Sequence, residues 1–178
     1  MKEVFPIVIL VLLMACGTQK EISGLEDLQT PIRQQMNTCI DDGTCSIEIL
    51  PNSSMSLKKD AFGQLYGELT KSDLLLFKVT YERNVPKGLA DADYRESFYF
   101  SIPKSTTSLQ LEDGQLSQVN LVVERRCFCK GTAGFFKILS GKLELSIKKN
   151  ELTLNGNFSH VNLPLLMTKI DEKVSLEP

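Results

Sequence analysis

Apolar and polar residues alternate along most of the chain. Residues 97–102 place Phe98, Phe100 and Ile102 on one face and more polar side chains on the other. A period of two residues is typical of a β-strand with one buried and one solvated face. The same alternation predicts two later strands, with Leu143, Leu145, Ile147, Leu152, Leu154 and Phe158 on their apolar faces.

Two other runs are more fully apolar than the alternating segments. Residues 74–77, followed by Val79 and Tyr81, form the first, and residues 119–123 form the second. Such runs are expected for central strands that are covered on both faces. Tight turns are predicted at Lys149-Asn150 and at residues 112–115, because both carry turn-forming polar residues between apolar segments.

These patterns predict an all-β fold without a long amphipathic helix. About eight or nine short strands are separated by turn residues, and this spacing favours an antiparallel β-sandwich or a small barrel. Residues 16–37 are mostly polar and are predicted to be a flexible N-terminal tether, which leaves residues 38–178 as a single β-rich domain. Residues 161–170 contain Pro164 and are predicted to close the sheet as an edge strand.

The N-terminus carries a short apolar run. Residues 4–14 form an apolar run that is broken only by Pro6 and follows Lys2, but a helix needs about 20 apolar residues to cross a bilayer. The run instead has the length of the apolar region of a signal peptide. The following residues, Leu13-Met14-Ala15-Cys16, resemble the lipobox of bacterial lipoprotein precursors.

That resemblance implies a signal peptide over residues 1–15, cleavage before Cys16 and acylation of the Cys16 side chain. Two or three acyl chains make a membrane anchor effectively permanent. The implied location is the cell envelope, with the protein anchored to the outer membrane through its N-terminal lipid. Gly17-Thr18-Gln19-Lys20-Glu21 resembles the surface-export signal of lipoproteins from Bacteroidota, so both the periplasmic side and the cell surface stay open.

The amino-acid composition narrows the range of binding partners that we expect for this protein. The formal net charge is −2, and no basic stripe with interleaved aromatic residues is present in the sequence. A nucleic-acid partner is therefore not expected. A membrane contact through the lipid is expected, whereas a protein or small-ligand partner is left unspecified.

Four cysteines remain besides Cys16, namely Cys39, Cys45, Cys127 and Cys129. An even number in an oxidising compartment predicts disulfides. On a strand, the Cα atoms of Cys127 and Cys129 would be roughly 6.5–7 Å apart, which is further than a disulfide prefers. We therefore favour two bridges between the Cys39/Cys45 turn and the Cys127/Cys129 strand over local closure of Cys39 with Cys45.

Two other uses of the cysteines have weaker support. Structural zinc sites use Cys-x2–4-Cys pairs, and neither spacing in this chain matches. Thioredoxin-like chemistry uses Cys-x-x-Cys at a helix N-terminus, although Arg125, Arg126 and Lys130 would favour a thiolate. We interpret the four cysteines as structural and predict neither a metal nor another cofactor.

Few residues suggest catalysis. His160 is the one histidine and is predicted to lie on an apolar face or at a strand end, with Ser159 pointing to the opposite face. Ser101 and Lys104 have a Ser-x-x-Lys spacing but lack the helix that this motif needs. Asp91, Asp93 and Glu96 are interpreted as parts of a solvated loop rather than as calcium ligands. No catalytic residue is predicted.

The leading hypothesis is a lipid-anchored, non-enzymatic β-domain with a binding or structural role. One alternative is an inhibitor or a carrier of a small ligand, and a further one is a hydrolase with a carboxylate site. The body, with its Cys-Phe-Cys-Lys-Gly segment at residues 127–131, resembles small lipoproteins of Bacteroidota. That resemblance implies no activity.

Overall fold

The computed structural model describes residues 25–86, 88–89 and 91–176. Ten strands in this part of the chain form two antiparallel sheets, one of six strands and one of four. The all-β prediction is confirmed, and the architecture is a β-sandwich. The strands are β1 (Ile32–Gln35), β2 (Gly43–Lys59), β3 (Leu65–Arg83), β4 (Tyr94–Pro103), β5 (Ser108–Glu112), β6 (Val122–Cys127), β7 (Gly134–Lys137), β8 (Ser140–Lys148), β9 (Glu151–Ser159) and β10 (Lys169–Ser175).

The larger sheet has the order β1-β2-β3-β4-β6-β7. Its central strands carry the predicted apolar positions, and Phe98, Phe100 and Ile102 of β4 are at most 1% exposed. The apolar run at residues 74–77 lies in β3, which pairs with β2 on one side and with β4 on the other. The expectation of a central strand at this position is confirmed.

The smaller sheet has the order β10-β9-β8-β5. Leu143, Leu145, Leu152 and Leu154 are almost fully buried on its inner face, as their alternation predicts. The predicted turn between β8 and β9 is present, and Lys149 adopts a positive φ of 55° in it. A left-handed residue at this point is typical of two-residue hairpin loops.

Aromatic side chains fill the space between the sheets. The rings of Phe77 and Phe100 stack with centroids 4.7 Å apart, and those of Phe98 and Phe158 stack at 5.3 Å. Each such side chain stabilises the fold by roughly 1.5–3 kcal/mol through burial. The interior is thus a packed core between two sheets.

The hairpin of β2 and β3 is much longer than the other strand pairs. These strands contain 17 and 19 residues, whereas strands in globular proteins rarely exceed about ten. The pairing register shifts between Pro51 and Ser53, which marks a β-bulge. Beyond this bulge, residues 53–71, here called the hairpin arm, extend over the outer face of the six-stranded sheet.

A second, smaller apolar cluster lies beneath the hairpin arm. It contains Met55, Leu76, Tyr99 and Val122 and is flanked by Phe135. Gly67 permits the close approach, because a Cβ atom at this position would lie 2.6 Å from the Phe135 ring and 2.8 Å from Met55 Sδ. The hairpin arm therefore covers part of the outer face of the sheet.

Part of the predicted tether belongs to the folded domain. Leu25 and Leu28 are 1% and 3% exposed, and β1 pairs with β2. Asn37 donates from its backbone N–H and its side-chain amide to Glu172 of β10, at 2.9 and 2.8 Å. The folded domain therefore begins before residue 38. Leu25 and Leu28 complete its core, and the contacts of Asn37 join the segment after β1 to β10.

Two other local predictions are wrong. Residues 112–115 do not form a hairpin but begin a 3-10 helix, Asp113–Val119, that carries the chain from β5 in one sheet to β6 in the other. Gln115 accepts from the backbone N–H of Glu112 and caps this helix. Residues 161–168 form a loop, and the edge strand β10 starts only at Lys169.

The signal peptide and the lipobox, including Cys16, lie outside the described residues. Within the described part of the chain, no helix has the length and apolar character required to span a membrane.

Candidate functional site

A buried carboxylate lies near one end of the sandwich. Glu96 occupies an inward-facing position of β4 and is fully buried. It accepts hydrogen bonds from Tyr94 Oη at 2.6 Å, from Arg125 Nη2 at 2.9 Å and from the backbone N–H of Met167 at 2.9 Å. The backbone N–H of Leu166 adds a further bond at 3.1 Å. The interpretation of Glu96 as part of a solvated loop is wrong, since the strand begins at Tyr94 and turns this side chain inward.

Arg125 is the cationic partner of Glu96. The two residues face each other in the register of β4 and β6, and Arg125 is 4% exposed. Its Nη2 also donates to the carbonyl oxygen of Pro164. The ion pair therefore ties the loop of residues 161–168 to the six-stranded sheet. Removing one partner of a buried pair costs about 3–5 kcal/mol, because the other charge is left unpaired.

Tyr94 sits between this pair and the surface. Arg83 and Arg125 place their guanidinium carbons 4.9 and 5.5 Å from the centre of its ring. Burial raises the pKa of Tyr94 above its ordinary value, and the hydrogen bond to Glu96 adds to this effect. The phenol therefore stays protonated and donates to the carboxylate.

A second acid–phenol–guanidinium contact fixes the Cys39/Cys45 turn. Tyr81 Oη donates to Asp42 Oδ1 at 2.5 Å, and Arg83 Nε donates to Asp42 Oδ2 at 3.2 Å. The Tyr81 hydrogen bond, with help from Arg83, lowers the pKa of Asp42. The turn is thus held in place by the same end of β3 that contacts Tyr94.

Above these contacts lies an open cleft, here called the arginine cleft. Its volume is about 520 Å³. The lining residues come from the ends of β3, β4 and β6 and from the loops beside them: Glu82, Arg83, Asp91, Asp93, Tyr94, Arg95, Arg126, Cys127 and Phe128. Three cations, three anions and the exposed Phe128 ring therefore face one concave surface.

Arg95 has an unsatisfied donor in this cleft. The residue lies between Glu82 and Arg126 in the strand register. Its Nε is shielded from solvent and has no hydrogen-bond partner among the described residues. Buried donors are nearly always paired in folded proteins, so this Nε is an exception, as is the Nε of Arg125.

The structure pairs the cysteines locally. The Cα atoms of Cys39 and Cys45 are 5.4 Å apart, and those of Cys127 and Cys129 are 5.3 Å apart. The favoured arrangement of two long-range bridges is wrong. Strand β6 ends at Cys127, and Cys129 opens a turn closed by Thr132, so the extended spacing assumed for this pair does not apply.

The remaining candidate residues lie in different parts of the fold. His160 follows β9, and its ring lies 5.7 Å from that of Phe136. Ser101 is 7% exposed within β4, whereas Lys104 donates to Asn52 Oδ1 at 2.7 Å. Asp91 and Asp93 border the arginine cleft. No group of three or more metal-binding side chains occurs in the described ranges.

A second depression, the arm groove, lies between the hairpin arm and the body. Its volume is about 500 Å³, close to that of the arginine cleft. Its apolar lining residues are Met55, Leu57, Leu121, Val122 and Leu139. This groove is thus the more apolar of the two surfaces.

These features define an antiparallel β-sandwich with a charged cleft at one end and an apolar groove under a folded hairpin. No protein-family model, curated protein or solved structure matches the chain.

The alternation in the sequence contained a signal for the buried pair. Extending the period of Phe98 and Phe100 backwards puts Glu96 on the apolar face, and extending the period of Val123 forwards does the same for Arg125. Opposite charges at inward positions of two strands are a signature of a buried ion pair.

Proposed function

We propose that this chain is a lipid-anchored protein of the cell envelope and that its β-sandwich is a binding domain. The lipobox-like residues ending at Cys16 support the anchor. The arginine cleft supports the binding role, and its partner is a protein segment that presents a carboxylate. The observation that carries this proposal is that Arg83, Arg95 and Arg126 line one open cleft.

The cleft is well suited to such a segment. Guanidinium groups bind carboxylates through charge-assisted and often bidentate hydrogen bonds. Phe128 is 83% exposed beside the arginines and offers an apolar contact of the kind enriched in interfaces. The buried Glu96–Arg125 pair holds the underlying strands and loop in place, so the cleft is formed before a partner arrives.

Site-specific photo-crosslinking in cells tests the binding role. A benzophenone amino acid at position 128 is expected to capture a discrete protein partner. The same probe at position 62, where Phe62 is 90% exposed on the hairpin arm, is the matched control. Arg95→Gln is expected to reduce capture at position 128 by at least about tenfold. Equal capture from both positions, insensitive to Arg95→Gln, would falsify the proposal.

Metabolic labelling with an alkyne analogue of palmitate tests the anchor. The wild-type chain and a Thr18→Ala control are expected to take up the label, because both keep Cys16. A Cys16→Ser variant is expected to take up none. Equal labelling of the Cys16→Ser variant, or an unlabelled wild type, contradicts the anchor.

The arm groove favours a second candidate function, a carrier of a small apolar ligand. Ligand pockets are concave and mostly apolar, and this groove has both properties. The test is native mass spectrometry of the protein after exposure to an envelope lipid extract. Leu139→Ser, in the groove, is expected to abolish any adduct. Leu89→Ser, at a similarly exposed site away from it, is expected to leave the adduct unchanged.

A further inference from the structure

The Cys127–Cys129 disulfide is poorly placed to stabilise the fold. It encloses a single residue, whereas the Cys39–Cys45 disulfide encloses five. A disulfide stabilises mainly by removing freedom from the unfolded chain, and this effect is smallest for the shortest ring. Both cysteines of the short ring already lie at the end of one strand and its turn, so the bridge joins no separate elements.

The same disulfide is accessible to another molecule. Cys127 and Cys129 are both partly exposed, and Cys127 borders the arginine cleft. Phe128, between them, projects into solvent. In the other disulfide, Cys45 is 2% exposed and belongs to the core, whereas Cys39 is exposed. Exchange requires that an attacking thiolate reach a sulfur atom, and each pair contains an exposed or partly exposed cysteine, so access alone does not distinguish the two pairs.

The charges around the two disulfides also differ. Arg126 and Lys130 immediately flank the short ring and are both exposed. Asp41 and Asp42 lie within the Cys39–Cys45 ring. Neighbouring cations stabilise a cysteine thiolate, and a more stable thiolate leaves faster in exchange. Neighbouring carboxylates oppose both the approach of a thiolate and its release.

We propose that Cys127–Cys129 is a thiol–disulfide exchange site that acts on cysteine-containing protein segments. A substrate thiolate attacks one sulfur of the pair, the Cys127–Cys129 bond breaks, and a mixed disulfide forms together with a thiolate on the other cysteine. A second substrate thiolate then attacks the mixed disulfide. The substrate dithiol is oxidised to a disulfide, and the protein takes two electrons and two protons as a Cys127/Cys129 dithiol.

A second disulfide reverses these steps and restores the site. This co-reactant is a low-molecular-weight disulfide, such as oxidised glutathione, or the disulfide of a partner protein. Phe128 would contact apolar residues beside the substrate cysteines. The activity goes beyond the binding role and needs neither the lipid nor the arm groove.

The first test compares the two disulfides within one wild-type molecule. The full chain in detergent is equilibrated with a series of reduced and oxidised glutathione mixtures, alkylated, and analysed by peptide mass spectrometry. The Cys127–Cys129 pair is expected to be reduced at a potential at least about 30 mV higher than Cys39–Cys45, a tenfold difference in equilibrium constant. Its reduction is also expected to be at least about tenfold faster. Equal potentials and rates overturn the proposal.

The second test measures the oxidation of a reduced synthetic peptide with two cysteines, in a single turnover. Wild-type protein is expected to oxidise it, and Cys127→Ser/Cys129→Ser is expected to lose this activity. Cys39→Ser/Cys45→Ser is the matched control and should retain it. Arg126→Gln/Lys130→Gln is expected to slow the reaction at least about threefold, since the leaving thiolate loses its cations. Activity that survives removal of Cys127 and Cys129 overturns the proposal, whichever way the control variant folds.

Discussion

Two Tyr–Glu–Arg triads lie on opposite faces of the same sheet. On the inner face, Glu96 accepts from Tyr94 and pairs with Arg125. On the outer face, Glu124 accepts from Tyr99 at 3.0 Å and lies 3.6 Å from Arg126. The chemical groups are identical in the two triads, but only the inner carboxylate and guanidinium lie within hydrogen-bond distance, and the two triads differ in burial.

Burial is what separates the triads. The side chains of Glu96 and Arg125 are 0% and 4% exposed, whereas those of Glu124 and Arg126 are 18% and 64% exposed. The inner carboxylate also binds two backbone N–H groups of the loop at residues 161–168. The inner triad therefore fixes a loop, whereas solvent screens the outer one, and an exposed ion pair contributes little.

The inner triad is broken by Glu96→Gln. The substitution keeps the shape of the side chain but leaves Arg125 buried without a counter-charge, so we expect a loss of about 3 kcal/mol in the free energy of unfolding. Chemical denaturation measures this loss. Amide hydrogen exchange should show that the protection of Leu166 and Met167 falls more than that of β8 and β9. Unchanged protection of the two loop amides contradicts the role assigned to Glu96.

The tyrosines of the two triads provide the next test. Tyr94→Phe removes a hydrogen bond to a charged acceptor and is expected to cost about 1.5–2 kcal/mol. Burial is also the first cause that raises the pKa of Tyr94, followed by its bond to Glu96. A raised folded-state pKa stabilises the fold fully below the unfolded pKa of about 10, and this contribution is lost as the pH rises further.

The measurement is unfolding by denaturant between pH 8 and 11.5. Wild-type stability is expected to fall above about pH 10, and Tyr94→Phe is expected to flatten this decline. Tyr99→Phe is the matched variant, because burial raises the pKa of Tyr99 as well. If the pH profile of Tyr94→Phe runs parallel to that of the wild type, the buried phenol of Tyr94 does not cause the loss of stability above about pH 10.

Met55→Ala tests how much the hairpin arm contributes on the outer face. Met55 is 8% exposed and packs in the small cluster that contains Tyr99. We expect a loss of about 1–2 kcal/mol, because the cluster is small and its loss leaves the main core intact. Hydrogen exchange should increase mainly in residues 53–71. A global increase, equal in β4 and β9, contradicts a separately opening arm.

Part of this arrangement was accessible from the sequence. Alternation predicted the buried faces of β4, β8 and β9, because a period of two assigns each side chain to one face of a sheet. The inner triad is not predicted, because Glu96 follows Asp91 and Asp93 and the three acidic residues together are typical of a loop. The seam between β1 and β10 was missed as well, since it depends on amide contacts such as that of Asn37 with Glu172.

The cysteine pairing differs from the sequence prediction for another reason. On an extended strand, Cys127 and Cys129 would be too far apart for an unstrained disulfide, but β6 ends at Cys127. Gly131, with a φ of 77°, lies in the turn that follows Cys129 and allows the chain to leave the sheet there. A strand end of this kind is set by local backbone geometry, which alternation of apolar residues does not encode.

The smallest effect is expected for Glu124→Gln, the outer counterpart of Glu96→Gln. Arg126 stays hydrated after the substitution, so we expect a loss below about 1 kcal/mol, reduced further by salt. The measurement is denaturation of both glutamine variants at low and high ionic strength. If Glu124→Gln costs as much as Glu96→Gln, then hydrogen bonding within each triad, rather than burial, sets its strength. If Glu96→Gln costs clearly more than Glu124→Gln and the difference persists in high salt, the extra cost comes from the desolvation of Arg125 and Glu96.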